Sequence, residues 1–164
     1  MSDKNIRVGF SIRNGNALSW LIRKLTKSPV SHTWLLYYSE DFQCDMVLEA
    51  TVEGFRTLPL EAFKAQGSTV IQIFAPKYSL DAGFAAMKDD IGERYDVDGL
   101  LGAFIPIMGA WFKRKWHNPF HSSKELFCSE AVTKCMQYSD YPDSSALIAD
   151  DVNPKQLYDF FANE

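Results

Sequence analysis

Ser31–Tyr38 reads SHTWLLYY and, after a short interval, Cys44–Thr51 reads CDMVLEAT. Both stretches are rich in the aromatic and aliphatic side chains that favour strands. The polar residues Ser39–Gln43 between them are typical of a hairpin connection. We therefore predict two adjacent antiparallel strands at this point of the chain.

Further strands are predicted on both sides of this hairpin. Ile6–Ile12 (IRVGFSI) places apolar residues two apart, the period of a strand with one buried face. Phe55–Leu58 and Thr69–Phe74 also have strand-forming composition. A helical turn over Leu60–Gln66, ending at Gly67, separates these two strands. The N-terminal half is therefore mostly sheet.

Helices are predicted after the first strand and through the C-terminal half. They cover Leu18–Leu25, Leu80–Ile91 after an N-cap at Ser79, Glu125–Tyr138, and a last helix that opens with Asn153 and Pro154 and ends at Phe161. Strands first and helices second is the pattern of an α+β fold, with helices packed against one antiparallel sheet.

The composition is that of one compact domain with a hydrophobic core. The chain has 164 residues, of which 46% are hydrophobic and 23% are charged. This is too much apolar material, and too little self-repulsion, for a disordered chain. We expect residues 1–164 to fold as a single domain. The formal net charge of −4 supplies no basic surface for a phosphate backbone, so no nucleic acid is expected as a partner.

No export segment or transmembrane helix is predicted. Met1–Phe10 carries charges at Asp3, Lys4 and Arg7 and has no apolar run of signal-peptide length. The longest apolar stretch, Leu100–Phe112, is shorter than the about 20 residues needed to span a bilayer. We expect a cytoplasmic protein, in which the three cysteines do not form a disulfide framework.

His32 lies at the start of a predicted apolar strand, where a purely structural imidazole is an unusual choice. A neutral imidazole can accept the proton of a thiol, provided that a third group fixes its tautomer and orientation. Glu49 shares a face of the next strand with Val47, so its carboxylate is placed to accept the other ring N–H. The alternative is a structural histidine beside an ordinary exposed glutamate.

Cys128, in the sequence ELFCSEAV, is the candidate nucleophile. It lies near the N-terminal part of a predicted helix, where free N–H groups and the helix dipole stabilise a thiolate. Ser122 and Glu125 also fit a capping box, which would start the helix earlier and place Cys128 more than one turn inside it. Cys135 and Cys44 are interpreted as small packed side chains.

Six segments, in this order along nearly the whole chain, resemble the YiiX-like branch of the circularly permuted papain-like cysteine hydrolases, within the NlpC-type superfamily. The segments are IRVGFSI (6–12), SHTWLLY (31–37), LEATVEGF (48–55), GERYD (92–96), FCSEAV (127–132) and NPKQLY (153–158). In that family the histidine strand precedes the nucleophile helix. The resemblance implies a circularly permuted papain-like (NlpC-type) fold.

Carried over residue by residue, the resemblance implies a Cys-His-Glu triad. Cys128 would be the nucleophile, His32 the general base, and Glu49 the polar member that orients the imidazole. Tyr95, in GERYD, matches a tyrosine position near the active site of the family. The implied activity is that of a cysteine peptidase or amidase, which cleaves a peptide or isopeptide bond through a thioacyl-enzyme without metal or organic cofactor. The Cys128 backbone N–H and the Tyr95 hydroxyl are candidate oxyanion donors by analogy.

Other hypotheses stay open. A lipid-directed thiol acyltransferase or phospholipase-type hydrolase is one, because Leu100–Trp116 joins an apolar run to three cations, as an interfacial segment does. A core helix hairpin with a solvated basic end is the more common form of such a segment. A non-catalytic binding module that retains the fold is another, and it predicts ordinary reactivity for Cys128. His117 and His121 are zinc-ligand types, but Pro119 breaks the helix that such a pair uses, so no metal is expected.

Overall fold

The computed structural model describes residues 6–51, 54–91, 128–149 and 152–164. The strands are β1 (Arg7–Arg13), β2 (His32–Ser39), β3 (Cys44–Thr51), β4 (Gly54–Pro59) and β5 (Ser68–Phe74). The α-helices are α1 (Ala17–Thr26), α2 (Leu60–Ala65), α3 (Asp81–Ala86), α4 (Cys128–Tyr138) and α5 (Pro154–Ala162). Two 3₁₀ turns cover Met87–Asp90 and Ser144–Ala146.

These five strands form one antiparallel sheet in the order β4-β3-β2-β1-β5. β2 and β3 pair from Leu35↔Leu48 to Ser39↔Cys44, which confirms the predicted hairpin. The helices pack against this sheet, so the architecture is α+β, as the order of strand and helix patterns along the sequence indicated.

Different helices cover the two faces of the sheet. The larger core joins sheet residues such as Val8, Phe10 and Leu35 to side chains of α3, α4 and α5. A smaller cluster on the opposite face consists of Trp34, Leu36, Val47, Leu58 and, from α2, Phe63. β1 is therefore buried on both faces, whereas the alternation in its sequence predicted a single buried face.

Trp34 lies across β1 because Gly9 has no side chain. A Cβ atom at Gly9 would lie 2.3 Å from the indole ring, far inside van der Waals contact. The buried indole N–H donates to Ser11 Oγ at 3.1 Å, so it has a partner. The ring also contacts Phe63, at a centroid distance of 5.0 Å. These contacts fix the face of β2 on which His32 lies.

The structure confirms the predicted start of the C-terminal helix and shortens the helix predicted over Leu80–Ile91. Asn153 caps α5 through a capping box with Gln156, as the Asn-Pro pair indicated. The helix predicted over Leu80–Ile91 is shorter, because α3 gives way to a 3₁₀ turn. Ser79 does not occupy the N-cap position there, although its hydroxyl accepts a hydrogen bond from the Asp81 N–H at 3.1 Å.

Several sequence predictions lie outside the described residues. They concern Tyr95, the stretch Leu100–Trp116, the pair His117 and His121, and the capping box of Ser122 and Glu125. Within the part of the chain that is described, no helix combines the length and the apolar character required to cross a bilayer.

Candidate active site

His32 and Glu49 are joined by a short hydrogen bond across the sheet. His32 is the first residue of β2, and its Nε2 lies 2.7 Å from Glu49 Oε2 on β3. The ring also stacks on Phe63 of α2, at a centroid distance of 6.4 Å. Glu49 therefore holds the imidazole in one orientation, and this leaves Nδ1 as the ring nitrogen for a further partner.

Glu49 is buried, with 1% of its surface exposed, so the alternative of an ordinary exposed glutamate is wrong. A carboxylate at such a position needs charge partners, because burial disfavours its ionised form. His32 is one partner and Arg56 is the other: the Nε and Nη2 atoms of Arg56 lie 3.0 and 2.9 Å from Glu49 Oε1. Each carboxylate oxygen of Glu49 thus has its own cationic or hydrogen-bonding partner.

Cys128 is brought to His32 by α4. It is the first residue of this helix as described, and its half-buried thiol hydrogen-bonds the His32 side chain. The backbone N–H groups of Thr33 and Ser129 also donate to the sulfur. An N–H that points at a side chain, rather than at a carbonyl of the preceding turn, is typical of a helix start, where it stabilises a thiolate.

The His32 and Cys128 side chains can approach each other because the pairing of β2 with β3 ends before the first residues of β2. The β2–β3 ladder stops at Leu35↔Leu48, so the first residues of β2 and the last residues of β3 extend beyond it. The Thr33 N–H is not used by β3 there and is available to the sulfur. α4 packs on β2 and β3, and Cys128 reaches His32 at the end of the sheet.

The charges of the three side chains support one another. Burial by itself disfavours the imidazolium, but hydrogen bonds and negative charge from Cys128 and Glu49 outweigh it and raise the pKa of His32 to about 9. Burial likewise opposes the thiolate, but His32 and the two backbone donors outweigh it and lower the pKa of Cys128 below its ordinary value. Each of the two groups therefore stabilises the charged form of the other.

The same balance keeps Glu49 ionised. Burial acts to raise the pKa of its carboxyl group, but the hydrogen bonds and positive charges of His32 and Arg56 outweigh burial and lower it. A carboxylate that stays charged can stabilise the imidazolium without taking its proton.

The other two cysteines differ from Cys128 in their surroundings. Cys135 is fully buried in the larger core, where burial raises its thiol pKa to about 12. Its thiol donates a long hydrogen bond to the Leu80 carbonyl, at 3.7 Å. Cys44 is half-buried at the start of β3, beside the Met46 sulfur at 3.7 Å. The interpretation of both as packed residues agrees with these positions.

The structure thus brings together three of the four predicted site residues, Cys128, His32 and Glu49, while Tyr95 lies outside the described residues. Arg56 was missed by the sequence reasoning. It stands directly opposite Glu49 in the β3–β4 pairing. A signal was present, since Thr51 pairs with Gly54, and residues two positions before the one and two after the other face each other in a hairpin.

A thiolate, an imidazolium and a buried carboxylate in this order form a unit for nucleophilic attack followed by proton transfer. In the described part of the chain, no three His, Cys, Asp or Glu side chains are grouped so as to hold a metal ion. The chain was also compared with models of protein families and with curated proteins, and neither comparison gave a match.

Proposed function

We propose that this protein is a cysteine hydrolase that cleaves an amide bond, in a peptide or an isopeptide, through Cys128, His32 and Glu49. The observation that carries the proposal is the paired state of the thiol and the imidazole, oriented by a buried carboxylate. A histidine with a purely structural role does not require both a thiol and an ionised carboxylate as hydrogen-bond partners of its ring. Enzymes use this combination to activate a nucleophile at neutral pH.

The reaction follows from the positions of these groups. The Cys128 thiolate attacks the carbonyl carbon, a carbon–sulfur bond forms, and the electron pair of the carbonyl moves to its oxygen. When the tetrahedral intermediate collapses, the carbon–nitrogen bond breaks and the amine leaves with the proton of the His32 imidazolium. Neutral His32 then takes a proton from water as the water oxygen attacks the thioester. Release of the acid restores the thiolate and the imidazolium.

Glu49 and Arg56 act through His32 in this scheme. Glu49 keeps Nε2 of the ring engaged, so that Nδ1 faces the sulfur in every step. Arg56 holds the carboxylate in place from the other side. For the oxyanion, the Cys128 N–H and the Tyr95 hydroxyl remain the proposed donors.

The proposal includes the circularly permuted papain-like fold. In its support, the histidine strand precedes the helix with the cysteine along the chain, and the cysteine helix packs against an antiparallel sheet. This is the order that the resemblance to YiiX-like hydrolases implies.

Acylation by an activated ester tests the proposal without knowledge of the natural substrate. With p-nitrophenyl acetate, we expect a burst of p-nitrophenol and one acetyl group on Cys128, found by intact-protein and peptide mass spectrometry. Cys128→Ala should abolish the burst, whereas Cys44→Ala, a matched control, should retain it. Acetylation spread over several residues, or a burst that survives Cys128→Ala, would contradict the proposed nucleophile.

A lipid-directed thiol acyltransferase or phospholipase-type hydrolase is the second candidate, and the outer face of α1 favours it. The solvent-exposed positions of this helix recur at helical spacing and are Ala17, Trp20, Leu21 and Lys24, with Lys27 just beyond its end. Trp20 is 62% exposed. A tryptophan and a leucine followed by lysines match the apolar and anionic layers of a membrane surface.

Vesicle co-sedimentation separates the two candidates. If the protein acts on lipids, it should bind vesicles that contain anionic phospholipid, and Trp20→Ser should release it. Phe42→Ser is the matched control, because Phe42 is also largely exposed, at 71%, but lies beside the acidic Glu40 and Asp41. Failure to bind anionic vesicles would remove the support that α1 gives to the lipid candidate.

A further inference from the structure

Three buried serines join the start of β2 to β1 and α1. Ser11 lies near the end of β1, Ser19 lies in the first turn of α1, and Ser31 directly precedes His32. A buried hydroxyl needs hydrogen-bond partners, because it loses its water shell on folding. We call these three residues the serine junction, and their hydrogen bonds show which parts of the chain they hold together.

Ser19 makes the central contacts of the serine junction. Its Oγ lies 2.6 Å from Ser31 Oγ and accepts a hydrogen bond from the Arg13 backbone N–H at 3.2 Å. The backbone N–H of Ser19 donates to the side chain of Asn16, the N-cap of α1, at 3.0 Å. This one residue therefore links the end of β1, the first turn of α1 and the residue that precedes the candidate general base.

The start of β2 depends on the serine junction because β3 does not pair with it. The ladder between β2 and β3 ends at Leu35↔Leu48, whereas β1 pairs with β2 as far as Ser11↔His32. The Ser31 N–H donates to the Ser11 carbonyl at 3.0 Å. The backbone of His32 is thus held from the β1 side of the sheet, and the Ser31 hydroxyl adds α1 to this support.

We propose that Ser19 is a positioning residue for the candidate triad and acts on His32 through the hydroxyl of Ser31. This inference rests on the proposed hydrolase function, because it concerns the contact between the imidazole and the sulfur. The Thr33 N–H, one residue further along β2, donates to the same sulfur, so a shift at the start of β2 changes two contacts of Cys128 together. A displacement of about 1 Å can cost a catalytic site much of its rate.

Loss of the Ser19 hydroxyl should loosen the contact between His32 and Cys128. Ser19→Ala leaves the buried Ser31 hydroxyl without its Ser19 partner and removes an acceptor of the Arg13 N–H. The start of β2 is then free to shift, and in some of its positions the imidazole and the sulfur lie apart. In those positions the thiol loses the positive charge that stabilises its ionised form, so its apparent pKa rises.

A double-mutant cycle on Ser19 and Ser31 tests the proposal. The rate of Cys128 alkylation by iodoacetamide is measured from pH 5 to pH 10 for Ser19→Ala, Ser31→Ala and the double variant of the full chain. A hydrogen bond of ordinary strength corresponds to about a fivefold change, so each single substitution should slow the reaction at pH 6 about fivefold. The double variant should be about as slow as either single one, because both substitutions remove the same bond, whereas independent effects would multiply to about 25-fold.

Thr26→Ala is the matched control. Thr26 is the last residue of α1, and its hydroxyl donates to the Ile22 carbonyl of the same helix at 2.7 Å. This substitution weakens α1 without removing a bond of the serine junction, so the alkylation rate of Cys128 should not change. Cys44 is the reference thiol in each sample, because a general loosening of the fold would change its rate as well.

The results separate this inference from the function on which it rests. Rapid acid alkylation of Cys128 in the unsubstituted protein, with the same rate in Ser19→Ala, overturns the positioning role and leaves the triad in place. Slow acid alkylation in the unsubstituted protein overturns both. Equal slowing by Thr26→Ala, or independent effects of the two serine substitutions, also overturns the inference, since the hydroxyl pair would then have no specific role.

Discussion

The pairing of Cys128 with His32 predicts that this thiol is alkylated rapidly in acid. An ordinary cysteine with a pKa of about 8.5 is only about 0.3% ionised at pH 6. A thiol that is largely ionised at this pH offers up to about 300 times more of the reactive form. Because the nucleophilicity of a thiolate falls with its pKa, with a slope of about 0.4 to 0.5, the expected gain in rate is smaller than this ratio and is about tenfold.

The imidazolium sets the pH range of this effect. His32 has a raised pKa, so its charge, and the stabilisation that the charge gives to the thiolate, is complete at pH 6 and is lost as the pH rises through about 9. The alkylation rate should therefore form a plateau between the acid limb and about pH 9, and rise again above it. In His32→Ala the plateau should vanish, and the rate should follow a single titration of a thiol whose pKa is ordinary or raised.

The assay is alkylation by iodoacetamide, followed residue by residue with mass spectrometry between pH 5 and pH 10. Cys44 and Cys135 are reference thiols in the same sample, and Cys135 should be the slowest because it is fully buried and its pKa is raised to about 12. The reasoning is refuted if Cys128 is no faster than Cys44 at pH 6, or if His32→Ala leaves its rate unchanged. Ordinary reactivity is the result that a non-catalytic binding module predicts.

Three further substitutions test the supports of the site. Arg56→Gln leaves the buried Glu49 with one charge partner and should destabilise the fold by about 3 kcal/mol in urea denaturation. Alkylation of Cys128 in acid should also become slower. An unchanged dependence of the alkylation rate on pH would show that Arg56 does not position Glu49. Gly9→Ala places a methyl group 2.3 Å from the Trp34 ring and should cost about 1–3 kcal/mol, with a change in tryptophan fluorescence; full stability would mean that the ring shifts freely. Asn153→Ala removes a capping box and should cost about 1 kcal/mol in thermal denaturation, and a loss below about 0.3 kcal/mol would indicate that α5 is held by packing alone.

The local elements of the fold were predictable because their causes are local. Side-chain alternation placed β2 and β3, and the Asn-Pro pair at 153–154 placed the start of α5. Alternation did not reveal that β1 is covered on both faces, since Gly9 and Ser11 are small or polar and give no apolar signal. Their burial depends on Trp34, which lies on β2 and therefore does not show in the sequence of β1.

Residue types and strand positions in the sequence singled out His32, Glu49 and Cys128 as chemical groups, because imidazole, carboxylate and thiol chemistry is intrinsic to each side chain. Only the tertiary structure decided their contact: it buried Glu49, placed Arg56 behind it, and brought α4 to the end of the sheet where β2 and β3 part. A thiolate–imidazolium pair exists only when the partners touch away from bulk water. That condition depends on how distant segments pack, which no local pattern encodes.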